Sequence, residues 1–182
     1  MGSDDEPNQP HKYYEDSGTR FYCTYKSQKF YLACHKYYPK DKLNESSVLL
    51  IVHNNYTMHG MNFQIENYGN KICLSYIDNV FGMKNWNLYI DNGNPVFNSC
   101  FSSYLELEPC DKDIFLIKDI DSKSYLFMDL SRPRDNNKYG KSFYVGLCKN
   151  RNQATRFRRI DKWINITKNI KNSLILKESL IY

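Results

Sequence analysis

The residues able to do chemistry are few and scattered. Histidine occurs at His11, His35, His53 and His59. His53 and His59 flank a turn-rich loop, Asn54-Asn55-Tyr56-Thr57-Met58, and could meet at a metal. An ordinary exposed loop explains the same pattern, and no further ligand stands at zinc-site spacing. Cys34 and His35 are adjacent, but neighbours in a strand point to opposite faces, so they make a poor nucleophile and base. Asp119, Asp121 and Asp129 read as turn or strand-end residues rather than a positioned acid pair. The chain has no glycine-rich phosphate loop and no nucleophile elbow. These residues predict no enzyme, no cofactor and no metal.

The densest charged cluster is Lys149, Arg151, Arg156, Arg158, Arg159 and Lys162. Arg156 and Arg158 share one face of a strand, with Phe157 opposite. Such a strip suits a sulfated glycan or an acidic receptor face. A solvated rim whose arginine stems cover apolar surface is the plainer alternative. Nucleic acid is not expected, because no glycine-aromatic signature or recognition-helix pattern accompanies the strip. The six cysteines, Cys23, Cys34, Cys73, Cys100, Cys110 and Cys148, form no Cys-x-x-Cys. Read as a set they are mostly buried thiols in strands, pairing only if the chain meets an oxidising compartment. The sequons at Asn44, Asn55 and Asn165 would matter only on that route.

The elements that must position these residues are short strands. Residues 86–91, 103–109 and 113–120 alternate, and Asn92-Gly93-Asn94-Pro95 is a turn signal after the first. In the second, Leu105 and Leu107 face one way and Glu106 and Glu108 the other. The third carries Phe115 and Ile117 with a second face that is also partly apolar, as at a barrel wall. The plan recurs along the chain. Lys29-Phe30-Tyr31-Leu32, Asn87-Leu88-Tyr89-Ile90 and Ser142-Phe143-Tyr144-Val145 stand at nearly even spacing. Each is followed by a second strand, at residues 46–49, 102–105 and 154–157. A third follows each, at residues 61–65, 113–117 and 173–176. A further strand precedes each, at residues 21–25, 71–77 and 124–130. Three units of four strands predict an all-β fold, a β-trefoil of twelve strands. Phe30, Leu32, Leu88, Ile90, Phe143 and Val145 would share its core.

A chain of 182 residues is one domain with room for a sizeable core, and 15% aromatics, sixteen of them Tyr and ten Phe, favour strands. No apolar run is long enough for a membrane helix, so no membrane insertion is expected. Residues 1–19 read as a disordered acidic arm and residues 20–182 as the folded domain. Asp4, Asp5, Glu6, Glu15 and Asp16 outweigh Lys12 in the arm, leaving the domain more basic than the net +5 of the whole. The arm shows no apolar signal region, which fits leaderless export or a signal already removed.

From Arg20 the chain resembles the interleukin-1 family of cytokines. Residues 21–34 read as a hairpin turning at Lys26-Ser27-Gln28, with Gln28-Lys29 just before its second strand, similar to the family's opening hairpin. Asn87-Leu88-Tyr89-Ile90 resembles the sixth strand. Tyr104-Leu105-Glu106-Leu107-Glu108 resembles the family's Leu-x-Leu-Glu seventh. Asp113-Ile114-Phe115-Leu116-Ile117 is similar to the eighth, Phe143-Tyr144-Val145-Gly146 to the tenth, and Ser173-Leu174-Ile175-Leu176-Lys177 to the last. The resemblance covers about residues 20–180 and rests on their order. It implies a secreted, monomeric immune signal bound by an immunoglobulin-domain receptor and an accessory receptor. Agonist and antagonist share the fold. Tyr56, Trp86, Arg132 and Arg134 are receptor-binding candidates because they lie in or beside turns.

The alternative resemblance is to fibroblast-growth-factor-like trefoils, through Arg20-Phe21-Tyr22-Cys23 and Phe143-Tyr144-Val145-Gly146-Leu147, which implies a sulfated glycan partner near residues 149–162. A ricin-type carbohydrate module is disfavoured, since two tryptophans cannot supply three Gln-x-Trp sites. In the arm, Tyr13-Tyr14-Glu15-Asp16 followed by Ser17-Gly18 resembles an inflammatory-caspase site. Asp16 is therefore the processing candidate.

Overall fold

The structure, a computed structural model, describes residues 18–34, 47–55, 61–78, 84–138 and 140–161. Within them the chain is all-β. Twelve strands form one sheet: β1 (Thr19–Tyr25), β2 (Gln28–Cys34), β3 (Ser47–His53), β4 (Gln64–Tyr68), β5 (Lys71–Asp78), β6 (Lys84–Asp91), β7 (Asn94–Asn98), β8 (Leu105–Asp111), β9 (Ile114–Asp119), β10 (Ser124–Asn137), β11 (Gly140–Cys148) and β12 (Arg158–Asp161). A 3-10 turn at Arg151–Gln153 leads into the last strand.

The ladders close on themselves. β3, β7, β6, β5, β8, β9, β10 and β11 pair in sequence, and β11 returns to β3, giving a closed barrel of eight strands. A second circuit is completed by two isolated bridges. β12 pairs β1, β4 pairs β5, β8 pairs β5 and β9, Thr19 bridges Phe63 just before β4, and Phe115 bridges Phe157 just before β12. Thr19, Ile72 and Phe115 thus each meet one residue at the start of a later strand, respectively Phe63, Leu105 and Phe157. Those three partners are each 0% exposed, as are Phe21, Leu74 and Ile117 two residues on from the first set. Both sets point inward because strand side chains alternate.

The core is aromatic as the composition predicts. Phe63 stacks on Phe97 at 5.5 Å, Phe21 meets Phe115 edge-on at 5.8 Å, and Phe30 packs on Phe143 at 5.7 Å. Phe30, Leu32, Leu88, Phe143 and Val145 are buried in this one core and Ile90 packs half-buried against it. A smaller cluster of Tyr31, Ala33, Ile51 and Met61 lies on the other face of β2 and β3. Gly18 opens β1 at φ 101°, where a Cβ would stand 2.7 Å from the Phe63 carbonyl oxygen, so only glycine lets β1 cross there.

Three departures from the sequence reading have physical reasons. First, Asn92 (φ 49°) and Gly93 (φ 81°) turn the chain from β6 directly into β7, a strand that alternation does not reveal. Pro95 and the two asparagines give β7 the composition of a turn. With β7 inserted, residues 103–109 fall in β8, residues 113–117 in β9 and the segment at Phe143 in β11, each one place later in strand order than the sequence reading has it. Second, β10 runs on through residues 131–137, past the end of the strand expected at residues 124–130. Register shifts on either side of Pro133 let the strand carry a proline. Third, the strands expected at residues 61–65 and 154–157 begin only at Gln64 and Arg158. Residues 173–176 lie outside the described residues.

Candidate binding site

Several of the chemically capable residues have structural partners among the described residues. His53 is 6% exposed and its Nδ1 accepts the Asn55 backbone N–H at 2.8 Å, closing a turn. Asp119 is buried at the end of β9, and its Oδ2 accepts the Ser122 N–H at 3.0 Å, closing the turn into β10. Asp121 is exposed beside it. Asp129 accepts from the Ser131 hydroxyl at 2.6 Å and from Arg132 Nε at 2.7 Å. These bonds hold its carboxyl below the usual range, the Ser131 hydroxyl contributing most. Cys23, Cys34 and Cys73 are buried, Cys110 and Cys148 half-buried and Cys100 exposed, all as free thiols. Burial pushes the Cys23 thiol up to about 12, so it does not ionise near neutrality. Among the described residues no three potential ligands gather around a metal-sized space. No described helix is long and apolar enough to cross a membrane. His11, His35 and His59 lie outside the described residues, as do the processing candidate Asp16, the receptor candidate Tyr56 and the strip's Lys162.

The rest of the basic strip divides into tied and untied cations. Arg151 Nε meets Glu108 Oε2 on β8 at 3.2 Å. Arg159 meets Asp161 at 3.0 Å on its own strand. Lys149 Nζ donates to the Ser122 carbonyl. Arg156 and Arg158 have no acidic partner among the described residues. Both are exposed on either side of Phe157, which is 0% exposed, as alternation predicts.

The sheet register brings further residues to Arg158. Arg158 pairs Tyr22 on β1, Tyr22 pairs Tyr31 on β2, and Thr24 pairs Lys29. Lys29 Nζ lies 4.9 Å over the Tyr22 ring, and the Tyr22 and Tyr31 rings are 5.7 Å apart. Two adjoining clefts open here and share Tyr22, Ile114 and Arg158. The larger, ≈ 660 Å³, also holds Arg159 with Asp111, Asp113 and Asp161. The smaller, ≈ 370 Å³, holds Arg156, Thr24, Thr155, Met128 and Leu130, and no carboxylate.

The receptor candidates fare unequally. Trp86 is 5% exposed within the main core and offers no surface, which corrects the reading that placed it beside a turn. Arg132 and Arg134 sit inside β10 instead of a loop. Arg132 is exposed, fixed by Asp129 and lying 5.5 Å over the Tyr144 ring; Arg134 is half-buried.

A surface absent from the sequence reading lies between β6 and β8. Phe101 is 61% exposed and packs on Tyr89 at 5.4 Å, while Tyr68 meets Tyr104 edge-on at 5.7 Å with Lys71 over the Tyr104 ring. The loop is rigidly held. Asn98 Oδ1 accepts the N–H groups of Cys100 and Phe101 at 2.7 and 2.9 Å, and Ser103 Oγ accepts that of Ile90 at 2.9 Å. A phenylalanine in a polar loop, Asn98-Ser99-Cys100-Phe101-Ser102-Ser103, is the one sequence signal that could have marked it. No family model matches the chain, and no curated protein is significantly similar to it.

Proposed function

We propose that this chain is a β-trefoil of the interleukin-1 type that acts by binding, as a monomeric extracellular signal, and catalyses nothing. The observation that carries the fold reading is the threefold pairing. In each unit the first strand pairs the second, the second pairs the third, and the fourth pairs the first strand of the next unit. One residue pair per unit, at Thr19–Phe63, Ile72–Leu105 and Phe115–Phe157, joins first strand to fourth. A trefoil predicts that scheme, with the three hairpins β2–β3, β6–β7 and β10–β11 capping one end.

Within this reading the partner is an immunoglobulin-domain receptor, with an accessory receptor recruited by an agonist. The fixed and exposed Phe101 with Tyr104, and the fixed Arg132, have the character of interface anchors, since aromatics and arginines held by neighbours lose little entropy on binding.

The test is a binding screen of the full chain against interleukin-1-family receptor ectodomains. We expect one to bind, and Phe101→Ala or Arg132→Ala to weaken it by a factor on the order of thirty or more, as an anchor costing ~2 kcal/mol would. Absence of binding to every such ectodomain would overturn the receptor reading while leaving the fold reading intact.

A further inference from the structure

We infer that Arg156, Arg158 and Lys29, gathered around Tyr22, form a binding site for a sulfated glycan. Of the cations in this region, Arg151, Arg159 and Lys149 are already bonded to Glu108, Asp161 and the Ser122 carbonyl. Arg156 and Arg158 are bonded to no acid among the described residues, and Lys29 lies over the Tyr22 ring. An exposed guanidinium keeps its full donor fork for a ligand, and that fork fits an oxyanion through two parallel hydrogen bonds.

Geometry makes the three act together. Arg156 and Arg158 are two residues apart on one face, about 7 Å along an extended chain, and Lys29 is two strands away, about 10 Å across. A single polyanion lying over β12, β1 and β2 reaches all three. Engaging several cations at once releases several counterions, which is what lets exposed charges bind a polymer when each alone holds a small ion weakly.

The surroundings select direction and chemistry. The larger cleft presents Asp111, Asp113 and Asp161, which repel a polyanion. The smaller has Arg156 and Arg158 and no carboxylate, so the ligand runs that way. Its other walls are hydroxyls and aliphatics. Thr155 Oγ1 accepts the Met128 N–H at 2.7 Å, which leaves its hydroxyl proton to donate outward. Leu130 is 46% exposed and lies open to the non-polar face of a sugar ring. Nucleic acid fits less well. Bases need an open aromatic face, and the Tyr22 ring is covered by Lys29 and Tyr31.

The site is separate from the receptor reading. A chain that binds glycan and no receptor ectodomain keeps this inference and loses the other. The experiment measures binding of the full chain to heparin, to desulfated heparin and to a DNA duplex at roughly physiological salt, about 0.15 M. Heparin should bind tightest. Removing each of Arg156 and Arg158 as glutamine should lower the logarithmic salt slope by about one, and the double change should weaken binding at least about tenfold. Lys29→Gln should weaken it less, and R156K with R158K should recover much of the loss. Arg151→Gln and Arg159→Gln should stay within about twofold, because those groups are already spoken for. Equal losses from Arg151→Gln and Arg159→Gln would reduce the effect to net charge and overturn the site. So would a wild-type chain that heparin does not hold, or duplex or desulfated heparin binding as tightly as heparin. An unchanged melting midpoint for each variant separates these outcomes from misfolding.

Discussion

β8 and β12 occupy the same place in the pairing scheme and treat their outward faces in opposite ways. Each meets one earlier strand through a single residue, Leu105 on β5 or Phe157 on β9, and each pairs a second strand, β9 or β1, along its length. Inward they are alike: Leu105 and Phe157 are both 0% exposed. Outward, β8 carries Glu106 and Glu108, while β12 and its approach carry Arg156 and Arg158. Glu108 pairs with Arg151, and its carboxylate lies near enough to the Tyr125 hydroxyl to bear on that phenol. Burial first, and then the nearby Glu108 carboxylate, hold the Tyr125 hydroxyl above the usual phenol range. Arg156 and Arg158 have no acidic partner among the described residues. The inner face is dictated by the one core that both strands share, and the outer face is where they are free to differ.

The largest effect should come from breaking what the two strands have in common. Phe157→Ala should cost about 3–5 kcal/mol and Leu105→Ala about 2–5, because each empties a fully packed position. Leu88→Ala, in the same core, should cost about 2–5 kcal/mol as well. Denaturant unfolding would measure all three. A cost under about 1 kcal/mol for Phe157→Ala would mean that β12 lies against the barrel without closing it.

The next effect sharpens the difference. Glu108→Ala removes the acceptor from Arg151 and a carboxylate from near Tyr125 and should cost about 1 kcal/mol, the ion pair being partly exposed. The same change should bring the Tyr125 phenol down towards its ordinary range, which a spectrophotometric titration reads directly. A phenol that titrates as before would show that burial alone sets its value.

A smaller effect lies at Asp129, where the tie is made by near neighbours. Its carboxyl is held low, first by the Ser131 hydroxyl and then by Arg132. The folded state therefore favours the carboxylate. This contribution is fully present above the ordinary aspartate range and is lost as pH falls through the lowered value. Ser131→Ala should raise the Asp129 titration seen by NMR and shrink the acid-side loss of stability. An unmoved titration would assign the shift to Arg132.

How far each feature could be read depends on how far along the chain its cause lies. Leu105 and Leu107 against Glu106 and Glu108, the turn at Asn92-Gly93 and the hairpin turn at Lys26-Ser27 all have local causes, and the structure follows the reading at each. β7 escaped because Pro95 and its asparagines carry a turn's composition, while Val96 and Phe97 are too short a run to show alternation. The end of β10 escaped because a bulge, which only the partner strand β11 defines, admits Pro133. At the candidate sites the separation is wider. Arg151 and Glu108 are brought together by the barrel, so nothing near Arg151 says that it is tied and Arg158 is not. The exposure of Phe101 and the burial of Trp86 likewise depend on which distant strand arrives to cover them.

The smallest effect is the one that tests the contrast most closely. If Arg158 is untied, its charge contributes almost nothing to folding, and Arg158→Gln should leave stability within about 0.5 kcal/mol. The stem could still matter, since it lies against Tyr22 and Ile114 along the cleft wall. Arg158→Met keeps an apolar stem and removes the charge, so the two variants together separate packing from electrostatics. We expect Met and Gln to unfold at nearly the wild-type denaturant concentration, and the salt dependence of stability to change little. A loss near 1 kcal/mol in both, matching that of Glu108→Ala, would show a structural partner for the guanidinium. β12 would then use its outer charge as β8 does, and the difference between the two strands would be one of sign alone.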